Sequence, residues 1–166
     1  RPIYFTGGSY EDEEYIWMKE YLQLDGLVYK LVPIKTPENP QNPYLMGRID
    51  SERMYNIVKK WDWGNTNSPD IYHDPETRKN GISFRSNLAR LAEQLVNENQ
   101  PEKAIEILDL AMGKMPLAYF GYYSLLTPIS ATYYRAGSAE KGGALATQLA
   151  LKYADKLTYY KTFSTT

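Results

Sequence analysis

From Leu88 to Pro116 the apolar positions fall into two blocks with helical spacing. Leu88, Leu91 and Leu95, with the small Ala92 among them, predict one amphipathic helix; Ala104, Leu108 and Ala111, closed by Pro116, predict a second. Small residues at Ala92 and Ala104 suit a close helix crossing, where a longer side chain would push the pair apart, and Leu108 is the knob that fills the groove so formed.

The order of large, small and proline positions is that of a tetratricopeptide-like helical hairpin. A second copy follows. Aligning Gly142 with Ala104, 38 residues earlier, places Leu126, Ile129 and Tyr133 on its first helix, Gly137 in its turn, and Ala146 and Leu149 on its second helix. The standard unit is about 34 residues long, so roughly four extra residues are expected near Leu117 to Gly121. Pro128 predicts either a kink or a helix restart capped by Thr127. The array therefore spans about 83–160, in units of about 85–116 and 118–160. Leu88, Leu91, Ala92, Leu95, Ala104, Leu108, Ala111 and Pro116 are read as its structural core. About three units are usually needed to bury the faces of such an array, so residues 1–80 are expected to cap the first hairpin, giving a single domain over 1–166.

In that N-terminal segment, residues 2–6 and 27–33 read as short strands able to pair into a two-stranded sheet. Between them, 12–24 reads as a helix, with Ile16, Tyr21 and Leu24 at helical spacing and Gly26 as its stop. A further helix is expected from Ser51 to Lys60 behind Asp50 as N-cap, with Met54, Tyr55 and Val58 inward. Residues 36–48 and 64–80 read as polar loops. The fold class is thus mainly α: about two tetratricopeptide-like hairpins with a small α+β segment in front.

Composition narrows the function. With 19 basic and 20 acidic residues the net charge is −1, and no basic cluster supports nucleic-acid binding. Zero cysteines exclude a disulfide framework, a thiolate zinc site and a thiol nucleophile. No run is long and apolar enough for a membrane span, and Arg1-Pro2-Ile3-Tyr4-Phe5 lacks the features of a signal peptide; without an initiating methionine, the chain reads as a piece of something longer.

The 16 tyrosines stand out against four phenylalanines. A ring with a polar tip suits half-wet surfaces, and Tyr122, Tyr123, Tyr134 and Tyr160 are the candidate binding surface; helix-pair seams are the plainer use of the same side chains. Glu11, Asp12, Glu13 and Glu14 form an acidic run, but consecutive helical residues point in different directions and do not converge on one cation. His73, the single histidine, precedes Asp74-Pro75 in a turn-forming context, with no Ser-His-Asp pattern and no phosphate-cradling glycine loop. No catalytic, cofactor or metal residue is assigned.

The strings Arg1-Pro2-Ile3-Tyr4-Phe5, Tyr21 through Lys35, Asp50 through Tyr55, Trp63-Gly64-Asn65 and Asn87 through Glu93, taken in order, resemble the soluble C-terminal region of a bacterial family. Its members are large multi-pass membrane proteins of unknown function related to protein O-mannosyltransferases, of the GT-C glycosyltransferase type. That resemblance implies a transferase for the whole protein and no catalytic residue here, since the membrane helices and acidic catalytic loop of such enzymes lie upstream. It also implies a place on the periplasmic side of the cytoplasmic membrane. The partners it implies are the membrane-embedded remainder of the same polypeptide and an acceptor protein or peptide. A free-standing tetratricopeptide-type module binding peptide or glycan is the alternative.

Overall fold

The computed structural model describes residues 1–6, 13–37 and 46–163, with the backbone alone at 13–16. It is mainly helical with a small antiparallel sheet. Two compact units, Arg1–Asp62 and Trp63–Thr166, divide the chain, and each is described by itself.

In the first unit, β1 (Tyr4–Thr6), β2 (Leu22–Asp25) and β3 (Val28–Leu31) form a three-stranded sheet in the order β1-β3-β2. Phe5 and Leu24 both lie opposite Tyr29, from its two sides. The expected pairing of the two runs is present, but the sheet has a third strand. The helix expected over 12–24 is instead a 3-10 helix at Glu13–Tyr21 that gives way to β2. Leu22 and Leu24 are fully buried, and Gln23 and Asp25 nearly so. The strand alternates apolar and polar over only four residues, too short a run to outweigh the helical spacing of Ile16, Tyr21 and Leu24. Beyond β2, the Leu24 N–H donates to Arg48 O (2.8 Å) and the Arg48 N–H to Leu22 O (2.9 Å), which closes that edge.

The β2–β3 hairpin turns on Gly26 and Leu27. Gly26 has φ +76°, and a Cβ there would lie 2.6 Å from the Trp61 ring. Glycine at the first of two turn positions is what a tight hairpin of this hand requires. Helix α1 (Ser51–Val58) starts behind Asp50, whose carboxylate accepts from the Arg53 N–H at 3.1 Å, as expected from the sequence. Met54 and Val58 are fully buried, whereas Tyr55 is half-buried.

The second unit comprises α2 (Pro75–Asn97), α3 (Pro101–Lys114), the one-turn α4 (Leu117–Phe120), a 3-10 turn at Tyr123–Leu125, α5 (Thr127–Arg135) and α6 (Ala139–Lys161). Helices α2 and α3 pair as one hairpin and α5 and α6 as another, and α5 also packs on both α2 and α3. Both hairpins turn the same way. Asn99 (φ 58°) and Gly137 (φ 84°), 38 residues apart, take the left-handed position after a helix. Each is followed by an N–H that reaches back five residues, Gln100 to Leu95 O and Ser138 to Tyr133 O, both at 2.9 Å. The same offset relates the buried pairs Leu88 and Leu126, Leu91 and Ile129, Leu95 and Tyr133, Ala104 and Gly142, and Ala111 and Leu149. Ala146, expected inward, is half-buried, and Leu145 is buried beside it.

The Pro128 question resolves as a restart. Proline occupies the first turn of α5, where its missing N–H costs nothing, but the cap is Leu126 rather than Thr127. The surplus residues expected near Leu117 form α4.

Candidate functional site

A concave feature is built where α2 begins. Asp74 caps that helix: its Oδ1 accepts from the backbone N–H groups of Glu76 (2.9 Å) and Thr77 (3.1 Å), and its Oδ2 from the Thr77 hydroxyl. These bonds, the Thr77 hydroxyl first, hold the carboxyl below the usual carboxylate range. Pro75 follows as first helical residue. Residues 75–80, read from the sequence as loop, are therefore helical, because cap, proline and Glu76 together make a start signal that outweighs the turn propensity of Asp-Pro.

Immediately before the cap, His73 is fixed on both sides. Its Nε2 lies 2.9 Å from Thr66 O, and because a carbonyl can only accept, Nε2 carries the hydrogen. The ring packs on Phe120 of α4, centroids 4.8 Å apart. Phe120 is itself pinned: a Cβ at Gly81 of α2 would come within 2.7 Å of it, and the Arg85 guanidinium lies 5.7 Å from its ring centre. Arg85 is buried and pairs with no carboxylate among the described residues. It donates to Met115 O and, at 2.7 Å, to Gly121 O. Burial lowers its pKa to about 10, so it stays charged at neutral pH, and the two carbonyls, with their fixed dipoles, offset the desolvation.

A groove of about 390 Å³ results, lined by Pro69, Asp70, Ile71, Tyr72, His73, Arg78 and Tyr119. Tyr72 is 83% exposed and Ile71 42%. The Asp70 carboxylate has no ion-pair partner among the described residues, and the buried Nε of Arg78 has no hydrogen-bond partner.

The tyrosines selected from the sequence lie elsewhere. Tyr122 is half-buried with φ 49°, and Tyr123 stacks edge-on against Tyr153 at 5.4 Å. Tyr134 is half exposed, its ring covering Gly142, where a Cβ would approach to 2.8 Å, and its hydroxyl near Gly143. Tyr160 lies on the exposed end of α6, between Tyr159 (5.8 Å) and the Lys156 ammonium (5.7 Å). No ring contact joins any two of these four, and none lines the groove. Tyr72 and Tyr119, which do, carry no periodic signal: one sits in a predicted loop and the other in the surplus segment. The apolar pair Ile71-Tyr72 inside a polar stretch was the available signal.

In the first unit, the buried Asp25 carboxylate accepts from Gln23 Nε2 and from Arg53 Nε, both at 2.9 Å, while Arg48 donates to Gln23 Oε1 at 3.1 Å. This network ties β2 to α1 and to the strand-like Arg48, a structural use of charge. Among the described residues no three His, Cys, Asp or Glu side chains gather as a metal site. Glu11 and Asp12, and the side chains of Glu13 and Glu14, lie outside the described residues.

Residues 1–53 match the family described as TMEM260-associated domain 2. The matched stretch holds the whole sheet, Asp25, Arg48 and the start of α1. No curated protein and no solved structure matches the chain. Among the described residues no helix is long and apolar enough to cross a membrane.

Proposed function

We propose that this chain is a non-catalytic, extracytoplasmic C-terminal domain of an O-mannosyltransferase-like membrane protein. The helical hairpins of the second unit, of tetratricopeptide-like type, hold either the acceptor protein or the membrane-embedded remainder of the same polypeptide. The match of residues 1–53 to a domain associated with TMEM260, an O-mannosyltransferase-like membrane protein, carries this reading. It is supported by the resemblance of the sequence to the C-terminal region of a bacterial membrane family, from which the periplasmic side is inferred. Stacked hairpins supply the extended surface that helical arrays use for partners.

The chain contains no cysteine, which makes placement testable. A single cysteine at the exposed Lys152, introduced into the full-length protein, should react with a membrane-impermeant maleimide in intact cells, against the parent protein as background. Labelling that requires lysis would overturn the extracytoplasmic placement. A photo-crosslinking residue at Tyr134 then distinguishes capture of an acceptor from capture of the same polypeptide, and failure to crosslink to either would overturn the contact role.

A further inference from the structure

We propose that the groove between the Pro69–His73 loop, Arg78 of α2 and Tyr119 of α4 is a carbohydrate-binding site with room for a mono- or disaccharide. Its volume of about 390 Å³ lies at the small end of the roughly 300 to 1,000 Å³ usual for small-ligand sites.

The lining has the two kinds of surface that a sugar ring needs. A pyranose has an apolar face of C–H groups and a rim of hydroxyls, each both donor and acceptor. Tyr72, 83% exposed beside the partly exposed Ile71, is a platform for the first. Asp70 and Arg78 serve the second, the carboxylate accepting from neighbouring hydroxyls and the guanidinium donating to hydroxyl or ring oxygens. Neither side chain has an ion-pair partner among the described residues, so both are available to a ligand.

Charge separates this ligand from its rivals. Both Asp70 and Arg78 line the groove, so a phosphate or carboxylate would meet the Asp70 carboxylate and a cation would meet Arg78. A neutral polyol uses both. The walls are also set in advance: the His73–Thr66 bond and the packing of His73 on Phe120 hold the loop, while the Asp74 cap fixes the turn of α2 that carries Arg78. Preorganisation of this kind limits the ordering cost that weakens shallow sites. The site is independent of where the domain resides and of what its hairpins hold.

The test is a heteronuclear NMR titration of the isotope-labelled chain with glucose, mannose, N-acetylglucosamine and maltose, with inorganic phosphate and acetate as anion controls. Saturable shifts are expected at Ile71, Tyr72, Arg78 and Tyr119 with at least one sugar, at millimolar Kd. Tyr72→Ala should weaken that binding by about tenfold or more, the loss of one stacking platform, with an unchanged Tm. Asp70→Asn should weaken it and alter the order of preference among the sugars. The proposal is overturned if no sugar gives saturable shifts up to about 100 mM, well above the Kd of a weak sugar site. It is equally overturned if phosphate or acetate saturates the same resonances while the sugars leave them unmoved, or if Tyr72→Ala leaves sugar affinity unchanged.

Discussion

Gly81 of α2 faces Phe120 of α4 so closely that a single added methyl group would stand 2.7 Å from the ring. Inside an exposed helix, exchanging glycine for alanine stabilises by about 1 kcal/mol. Here the ring is held from behind by Arg85 and from the side by His73, so it has little room to give. Gly81→Ala should therefore lower stability, by about 1–3 kcal/mol as for other overpacked sites. It should also displace the His73 resonances in an NMR spectrum. A variant more stable than the parent in urea would show that Phe120 can swing aside.

Leu108 is fully buried on α3, as are Leu91 and Leu95 on α2 and Ile129 on α5, the two helices that pack on α3. Leu108→Ala should cost about 2–5 kcal/mol, the transfer term plus the cavity left behind. Thermal unfolding measures it, and a midpoint equal to the parent's would mean that α3 does not bury this residue.

Tyr133 donates its hydroxyl to Asp109 Oδ1 at 2.9 Å, and Asp109 also pairs with Lys141 at 2.6 Å, linking α3, α5 and α6. Burial first, and the Asp109 carboxylate second, raise the phenol pKa above its ordinary value of 10.0. A raised acid pKa means that the folded state keeps its proton while the unfolded state releases it. The contribution is thus complete below pH 10 and lost as pH rises through the folded value. The stability of the parent relative to Tyr133→Phe should fall by up to about 1.4 kcal/mol per pH unit above pH 10. Urea midpoints of both proteins across that range check it; a constant difference would exclude the shift.

Gly26→Ala combines a positive φ with a clash against Trp61. A loss of about 1–3 kcal/mol is expected, from backbone strain and overpacking together. Circular dichroism in the near ultraviolet, sensitive to Trp61, should change with it. An unchanged spectrum and midpoint would mean that the turn can repack.

The helical hairpins were legible because their signals are local and redundant: Leu88, Leu91 and Leu95 state the period, Ala104, Leu108 and Ala111 repeat it, and Gly137 marks a turn. Strand β2 was not. Leu22-Gln23-Leu24-Asp25 does alternate, but over four residues only, and Leu24 also continues the helical spacing from Ile16 and Tyr21, so the pairing with β3 and the cover from Arg48 decide it. The groove was hidden for a different reason. Its walls come from Asp70 to His73, Arg78 and Tyr119, separated along the chain and joined only when Phe120 docks on Gly81. No periodicity carries that information. Tyr122, Tyr123, Tyr134 and Tyr160 belong to adjacent-tyrosine pairs, which are conspicuous in a sequence, whereas the exposed ring on the groove, Tyr72, is a single tyrosine in a polar stretch.

The four residues Leu117–Phe120 make the difference between a repeat of about 34 and one of 38. They lie outside the 38-residue correspondence that relates Leu88 to Leu126, yet they line the groove through Tyr119 and hold His73, another lining residue, through the buried Phe120. Pocket and scaffold can therefore vary separately: in homologous chains, an insertion or deletion at this single junction would create or erase the groove while every buried leucine stayed in place.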